Sequence, residues 1–302
     1  MNDKTKMGKM QFYIVDVFAE EKYAGNQLAV FRSGNALSDN EMQRIAREMN
    51  FSETTFILSE AKRDDGFDVR IFTPGEEVPF AGHPTLGTAH IIRTEILSEQ
   101  NVGEIKLNLK EGQIPVSFND SVGQGTICWM QQIEPIFGET INTKIIADVL
   151  NLSPNDIDGR FPIEEVSTGL PHIIVPLRSL DALKRAMVNK DKYFELIKNR
   201  WAKPILIFCA EPHNSLNDIS VRMFADCFGI PEDPATGSGN GCLAGYFVRH
   251  RYWGEDEINI RSEQGYEIGR PSLLFLRAQE RNGQISISVG GKAITVAKGE
   301  FV

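Results

Sequence analysis

Phe80–Ile92, FAGHPTLGTAHII, and Ala235–Phe247, ATGSGNGCLAGYF, decide how this chain is read. Each sets a glycine just before an apolar run of helical character, and glycine there lets a helix start lie close to its neighbours. Laid with Gly82 on Gly237, the two stretches stand 155 positions apart. Other segments repeat in the same order: VRIF (Val69–Phe72) returns as VRMF (Val221–Phe224), 152 positions on. KEGQIPV returns as SEQGYEI with Gly112 on Gly265, 153 positions on, and AGNQLAVF is echoed by TGLPHIIV with Gly25 on Gly169, 144 positions on. Four ordered echoes imply a duplicated α/β unit with one glycine-rich helix start in each half.

The flanking sequence supplies the other elements. QFYIVDVFA (Gln11–Ala19), LAVFR (Leu28–Arg32), FSETTFILSE (Phe51–Glu60) and DVRIFTP (Asp68–Pro74) have the β-branched and aromatic content of strands. EIKLNLK, GQIPVSF and GTICWMQQ alternate apolar and polar residues as half-buried strands do. Ser38 followed by Glu41 is a capping box that predicts a helix over Asp39–Met49, and the glycine-led run predicts a second from about Pro84 to Ile96. The first half thus reads as strand hairpins wrapping two helices, and the second half repeats that plan. Residues 1–9 are polar and lysine-bearing and read as a loose tail.

With 32 basic and 41 acidic residues the chain carries a formal charge of −9, without the basic face that a nucleic-acid or anionic-membrane binder needs. A small molecule is the expected partner. Neither a signal-like apolar run nor a membrane-spanning stretch is present, and Cys128, Cys209, Cys227 and Cys242 show no C-x-x-C pairing. Reduced thiols in the cytoplasm fit this pattern.

A helix that starts at a glycine aims free N–H groups outward, and two such starts suit the cradling of a carboxylate or similar anion. GSGNG lacks the spacing of a dinucleotide-binding loop, and TGSGN has Thr236 where a nucleophile elbow needs glycine. His83 stands at one of these helix starts, which favours a chemical role over a packing role. His90, His172, His213 and His250 share no metal-ligand spacing, so no metal is expected. Asp233, before a proline, has the setting of a turn residue, and Glu232 that of a surface carboxylate. Glu53, between Phe51 and Phe56, is either an exposed cap or a partly buried carboxyl group suited to proton transfer.

GNQLAVF, FSETTF, RIFTPGEEVPFAGHPTLGTAH, GIPEDPATGSGNGCLAGY, SEQGYEIGRPS and VGGKAITVAKGEF together resemble the PhzF-like family of phenazine-biosynthesis isomerases from about Phe12 to the C-terminus. The resemblance implies the diaminopimelate-epimerase-like fold: two pseudo-symmetric halves, each a mixed, mainly antiparallel sheet around a central helix. The halves are expected at 10–127 and 128–291, with 292–302 a candidate strand completing the first. It further implies a cofactor-free homodimeric isomerase with its active site in the cleft between the halves. By motif, Glu53 takes the place of the family's proton-shuttling glutamate, with His83 and Asp233 as the other catalytic positions. Asn26, Gly82, Thr236, Gly237, Ser238 and Gly239 fall at substrate-binding positions, and the loops at His83 and at Thr236–Ser238 are expected to face one another. Ala81 and Thr236 occupy the places where epimerases of this fold carry thiols, which argues against two-thiol stereoinversion. The substrate expected is a small carboxylate-bearing metabolite; a lyase using the same proton abstraction, or a metabolite-binding protein without turnover, remain the alternatives.

Overall fold

The computed structural model describes residues 10–32, 34, 37–121 and 125–301; the expected tail over residues 1–9 lies outside the described residues. The chain forms two compact units, one built from the N-terminal segment to Tyr23, Gln27–Met130 and the segment from Lys292, the other from Ala24–Asn26 and Gln131–Gly291. The dividing point falls three residues beyond the expected 127, and Ala24–Asn26 joins the second unit for a definite reason. Arg270 donates to the carbonyls of Gly25 (2.9 Å) and Ala24 (2.6 Å), and the Gly25 N–H donates to Pro271 O at 3.1 Å.

In the first unit the strands run in the order Ala293–Phe301, Met10–Val17, Asn26–Phe31, Glu53–Ile57, Phe67–Phe72, Glu104–Leu109, Gly112–Ser121, Gly125–Gln132. Two pairings are parallel, Leu28–Phe31 with Glu53–Phe56 and Phe67–Asp68 with Leu107–Asn108. The sheet curls around a central helix, Gly82–Ile91, which packs against strands from both of its ends. That helix is buried from His83 through Ala89, in keeping with its mostly small and apolar composition. The helix Asp39–Met49 covers the outer face, with Met42, Ile45 and Ala46 packed on Phe31, Phe56 and Phe72. Its capping box forms as the sequence predicts, with Ser38 and Glu41 exchanging hydrogen bonds.

Strand periodicity then aims Glu53. Thr55 Oγ1 meets Thr88 Oγ1 of the central helix at 2.8 Å, whereas Phe56 turns to the outer cluster. Glu53, two positions before Thr55, therefore shares the face that looks toward the central helix.

The second unit follows the same plan: Ile136–Thr140, Glu164–Ser167, Pro171–Pro176, Ile205–Cys209, Ile219–Ala225, Glu257–Gln264, Ser272–Arg281, Gln284–Gly291. Its parallel pairings fall at the corresponding places, Ile173–Pro176 with Ile205–Phe208 and Ile219–Val221 with Ser262–Gln264. The central helix is Gly237–Arg249, buried along almost its whole length. Three shorter helices, Thr143–Val149, Leu180–Arg185 and Lys190–Ile197, cover the outer face over a cluster that includes Ile146, Leu183 and Tyr193. All four sequence echoes lie on equivalent elements: the strand after each glycine, the strand carrying V-R, the central helix, and the turn after the parallel pair. Among the described residues no helix is long and apolar enough to cross a membrane.

The first central helix differs in extent from the expected Pro84–Ile96. Ala81 is extended (φ −153°, ψ 143°) and serves as N-cap, so Gly82 and His83 lie inside the first turn. Pro84 is tolerated there because the first turn has no intrahelical use for its missing N–H. Past Ile91 the backbone widens into a π-helical turn, Ile92–Ile96.

Close approach of helix and sheet depends on Gly87, where a Cβ would stand 2.6 Å from Leu28 Cδ2 and 2.8 Å from Val17 Cγ2. Gly87→Val should cost about 1–3 kcal/mol through overpacking. Denaturant unfolding of this variant at the wild-type midpoint would refute the close-contact account.

Candidate functional site

In the first unit, Glu53 opens its strand and His83 is the second residue of the central helix. Glu53 Oε2 and His83 Nε2 approach to 3.4 Å, with side chains 18% and 8% exposed. The distance is that of an ion pair, but the charge is absent. Burial pushes His83 down to about 3, against a backbone hydrogen bond at Gln27 that acts the other way, so the imidazole is neutral near pH 7. Its Nε2 is buried and makes no hydrogen bond. Gly82 lies beside this pair, and the N-cap Ala81 offers no side chain to the first-turn donors.

In the second unit, Asp233 ends the short strand Ile230–Asp233 and is buried. Thr236 Oγ1 donates to its Oδ2 at 2.5 Å and Asn26 Nδ2 to its Oδ1 at 2.9 Å. Gln264 Nε2 donates to Asp233 O (2.8 Å) and to Thr236 Oγ1 (3.0 Å). Asn240 Nδ2 in turn donates to Gln264 Oε1 at 2.9 Å, and Ser262 Oγ to Asn240 Oδ1 at 2.7 Å. The amide groups of Asn26, Gln264 and Asn240 each donate to two acceptors in this network. Burial raises Asp233 to about 6, opposed by the hydrogen bonds from Thr236 and Asn26. Asp233 therefore titrates near neutrality. Because the Thr236 hydroxyl is turned to Asp233, the helix start at Gly237, Ser238 and Gly239 also lacks a side-chain cap.

Of the residues expected at the site, Glu53, Gly82 and His83 gather in the first unit, and Asn26, Asp233, Thr236, Gly237, Ser238 and Gly239 in the second. The amide of Asn26 is engaged by Asp233 and by Ala235 O (3.0 Å), so it orients the aspartate. Glu232 is no free surface carboxylate. Arg222 holds it in a bidentate pair at 3.0 and 2.8 Å, with the Glu232 side chain 9% exposed. In the first unit Arg70 holds Glu77 in the same way, at 2.8 and 2.6 Å. The arginines stand 152 positions apart and the glutamates 155, the offsets of VRIF and of the glycine-led helices. Each arginine also lies over the phenylalanine two residues on, at 5.1 Å (Phe72) and 4.9 Å (Phe224). One clamp thus fixes the approach to each helix start. The repeat contained this signal; Gln264, Asn240 and Arg270, brought in by long-range contacts, left only the SEQGYEIGRP turn as a trace.

The four cysteines are free. Burial raises Cys128 to about 12, and Cys209 and Cys242 to about 11, so these thiols stay protonated.

Two similar units, each a curled sheet around a buried helix with a carboxyl group beside the helix start, define an enzyme of the diaminopimelate-epimerase-like fold. A probable proline racemase from Agrobacterium radiobacter shares that fold (TM-score 0.64, 11% identity, 97% of this chain and 93% of that one). A phenazine biosynthesis protein of the PhzF family from Bacillus anthracis superposes more fully, with TM-score 0.89 and 26% identity over 98% of this chain and 100% of that one. The trans-2,3-dihydro-3-hydroxyanthranilate isomerase of Pseudomonas aeruginosa is 34% identical over 96% of this chain and 98% of its own length. The family model of phenazine biosynthesis-like proteins, PhzC-PhzF, matches residues 15–299. The chain belongs to this family and is an isomerase.

The hydrogen bond from Thr236 stabilises the charged form of Asp233. Thr236→Val should therefore raise the Asp233 titration further above its value near 6. Carboxyl 13C NMR of aspartate-labelled protein, with Asp233→Asn for assignment, measures this; a fall in the variant would contradict the assigned direction.

Proposed function

We propose that the chain moves a proton between two carbons of a small, unsaturated, carboxylate-bearing substrate, with Glu53 removing the proton and returning it on the same face. The observation that carries this reading is the Glu53–His83 contact, in which a largely buried carboxyl group has a neutral imidazole as neighbour. A cation in that place would favour the ionised carboxylate; a neutral ring adds no such bias, which suits a base that becomes an acid within one turnover.

In the first step Glu53 takes a proton from a carbon next to the unsaturated system, and the electron pair left behind delocalises toward the substrate carboxylate. The second step returns the proton from Glu53 to another carbon of that system. Atoms and electrons balance within the substrate, so the scheme calls for no redox cofactor and no metal. The uncapped helix start at Gly82, beside Glu53 and His83, supplies N–H donors for the carboxylate, worth about 0.3–1 kcal/mol. Asp233, held in place by Asn26 and Thr236, is the proton-exchanging group of the second unit, with its proton exchangeable near neutrality. Protonated thiols have no part in the scheme.

The substrate named for the Pseudomonas aeruginosa relative, trans-2,3-dihydro-3-hydroxyanthranilate, is the first compound to try. Incubated with it in deuterated water, the wild-type protein should yield an isomerised product carrying deuterium, read by mass spectrometry. Glu53→Gln should reduce turnover at least about a thousandfold with its circular dichroism unchanged, since the amide keeps the shape and carries no transferable proton. A folded Glu53→Gln variant at full activity would remove Glu53 from the mechanism. Separate replacement of Cys128, Cys209, Cys227 and Cys242 by alanine should leave the chemical step intact, and selective loss in one folded variant would reinstate a thiol.

A further inference from the structure

Outside the residues assigned above, a group of ionisable side chains in the second unit surrounds His213. Its Nδ1 lies 2.8 Å from Glu263 Oε1 and its Nε2 3.0 Å from Glu267 Oε1, while the ring stacks on Tyr266 with centroids 4.3 Å apart and planes 14° apart. Glu263 is 1% exposed yet kept below the usual glutamate range: burial acts to raise it, but hydrogen bonds from Asn217, the His213 N–H, Ser220 and the His213 ring outweigh that. From the neighbouring strand Arg222 faces Glu267, with its Nε 4.0 Å from Oε2. Ser220, on the same strand, donates to Glu263 Oε1 at 2.8 Å.

The two glutamates bracket the residues that grip the Asp233 loop. Gln264 donates to Asp233 O and Thr236 Oγ1. Gly265, at φ 79°, runs so close to that loop that a Cβ would stand 2.6 Å from Pro234 O and 2.4 Å from Arg270 O. A single imidazole therefore ties down both ends of a short turn whose middle presses on Asp233–Thr236. Without it, two carboxylates flank that turn and the ring that joined them is gone.

We infer that His213 is a positioning residue for Asp233, acting by bridging Glu263 and Glu267 so that Gln264 and Gly265 stay seated against the Asp233–Thr236 loop. The inference deepens the proposed role of Asp233, but its test needs no turnover. In ligand-free protein with 13C-labelled aspartate, His213→Ala should loosen the turn, admit water to Asp233 and move its titration down from about 6 by roughly one unit or more. His213→Gln, whose amide reaches one glutamate but not both, should give a smaller shift in the same direction, and it carries the test if the alanine variant does not fold. A folded variant whose melting temperature falls while the Asp233 titration stays in place, or moves upward, would show a merely structural histidine and overturn the inference. Failure of the Glu53 mechanism shows in the deuterium experiment and leaves this titration unaffected.

Discussion

Everything in each unit follows from enclosing one helix completely within a curled sheet. Such a helix has no solvent face, so most of its side chains are small or apolar, as they are from Pro84 to Ala89 and from Gly241 to Val248. Its lateral surface can carry no chemistry. Only the ends remain, and at the N-terminal end the first-turn N–H groups have no partner inside the helix. With alanine as one N-cap and a threonine turned aside as the other, those donors stay available to an anion. The polar groups of the site are placed where this fold leaves room for them.

The two helix starts carry different chemistry on one scaffold. Both approaches are fixed by an arginine that clasps a glutamate in two hydrogen bonds and lies over a phenylalanine. Beyond that shared clamp, the first unit sets a neutral imidazole against a glutamate. The second buries an aspartate whose proton is exchangeable near pH 6. Burial produces both effects: it drives a base to its uncharged form and holds an acid in its own. One physical cause thus yields two groups that can exist without charge near neutrality, a condition for handling protons on carbon.

Much of this was legible in the sequence because the relevant signals are local or repeated. The capping box located the start of the helix near Asp39, and the ordered echoes mapped onto equivalent elements; the two parallel pairings in each unit left no such signal, because the periodicity of single strands does not reveal them. Gly-His-Pro obscured the true start of the central helix, since a proline in the first turn reads as a boundary although it costs nothing there. The surroundings of Asp233 were less accessible. Asn26 and Gln264 reach it from 207 and 31 positions away, and no local pattern reports such contacts. Glu232 looked like surface because a charged residue beside a proline usually is; its arginine lay in VRMF, which was read only as an echo of VRIF.

The last strand, Ala293–Phe301, pairs along Met10–Val17 and forms one edge of the first unit's sheet. During synthesis, the residues of the second unit are made before that strand, while Met10–Val17 waits from the beginning without it. The first unit is thus completed by a segment made after every residue of the second. An unpaired strand edge is a template for other chains, so loss of Ala293–Phe301 leaves Met10–Val17 without that partner and open to pairing with another chain.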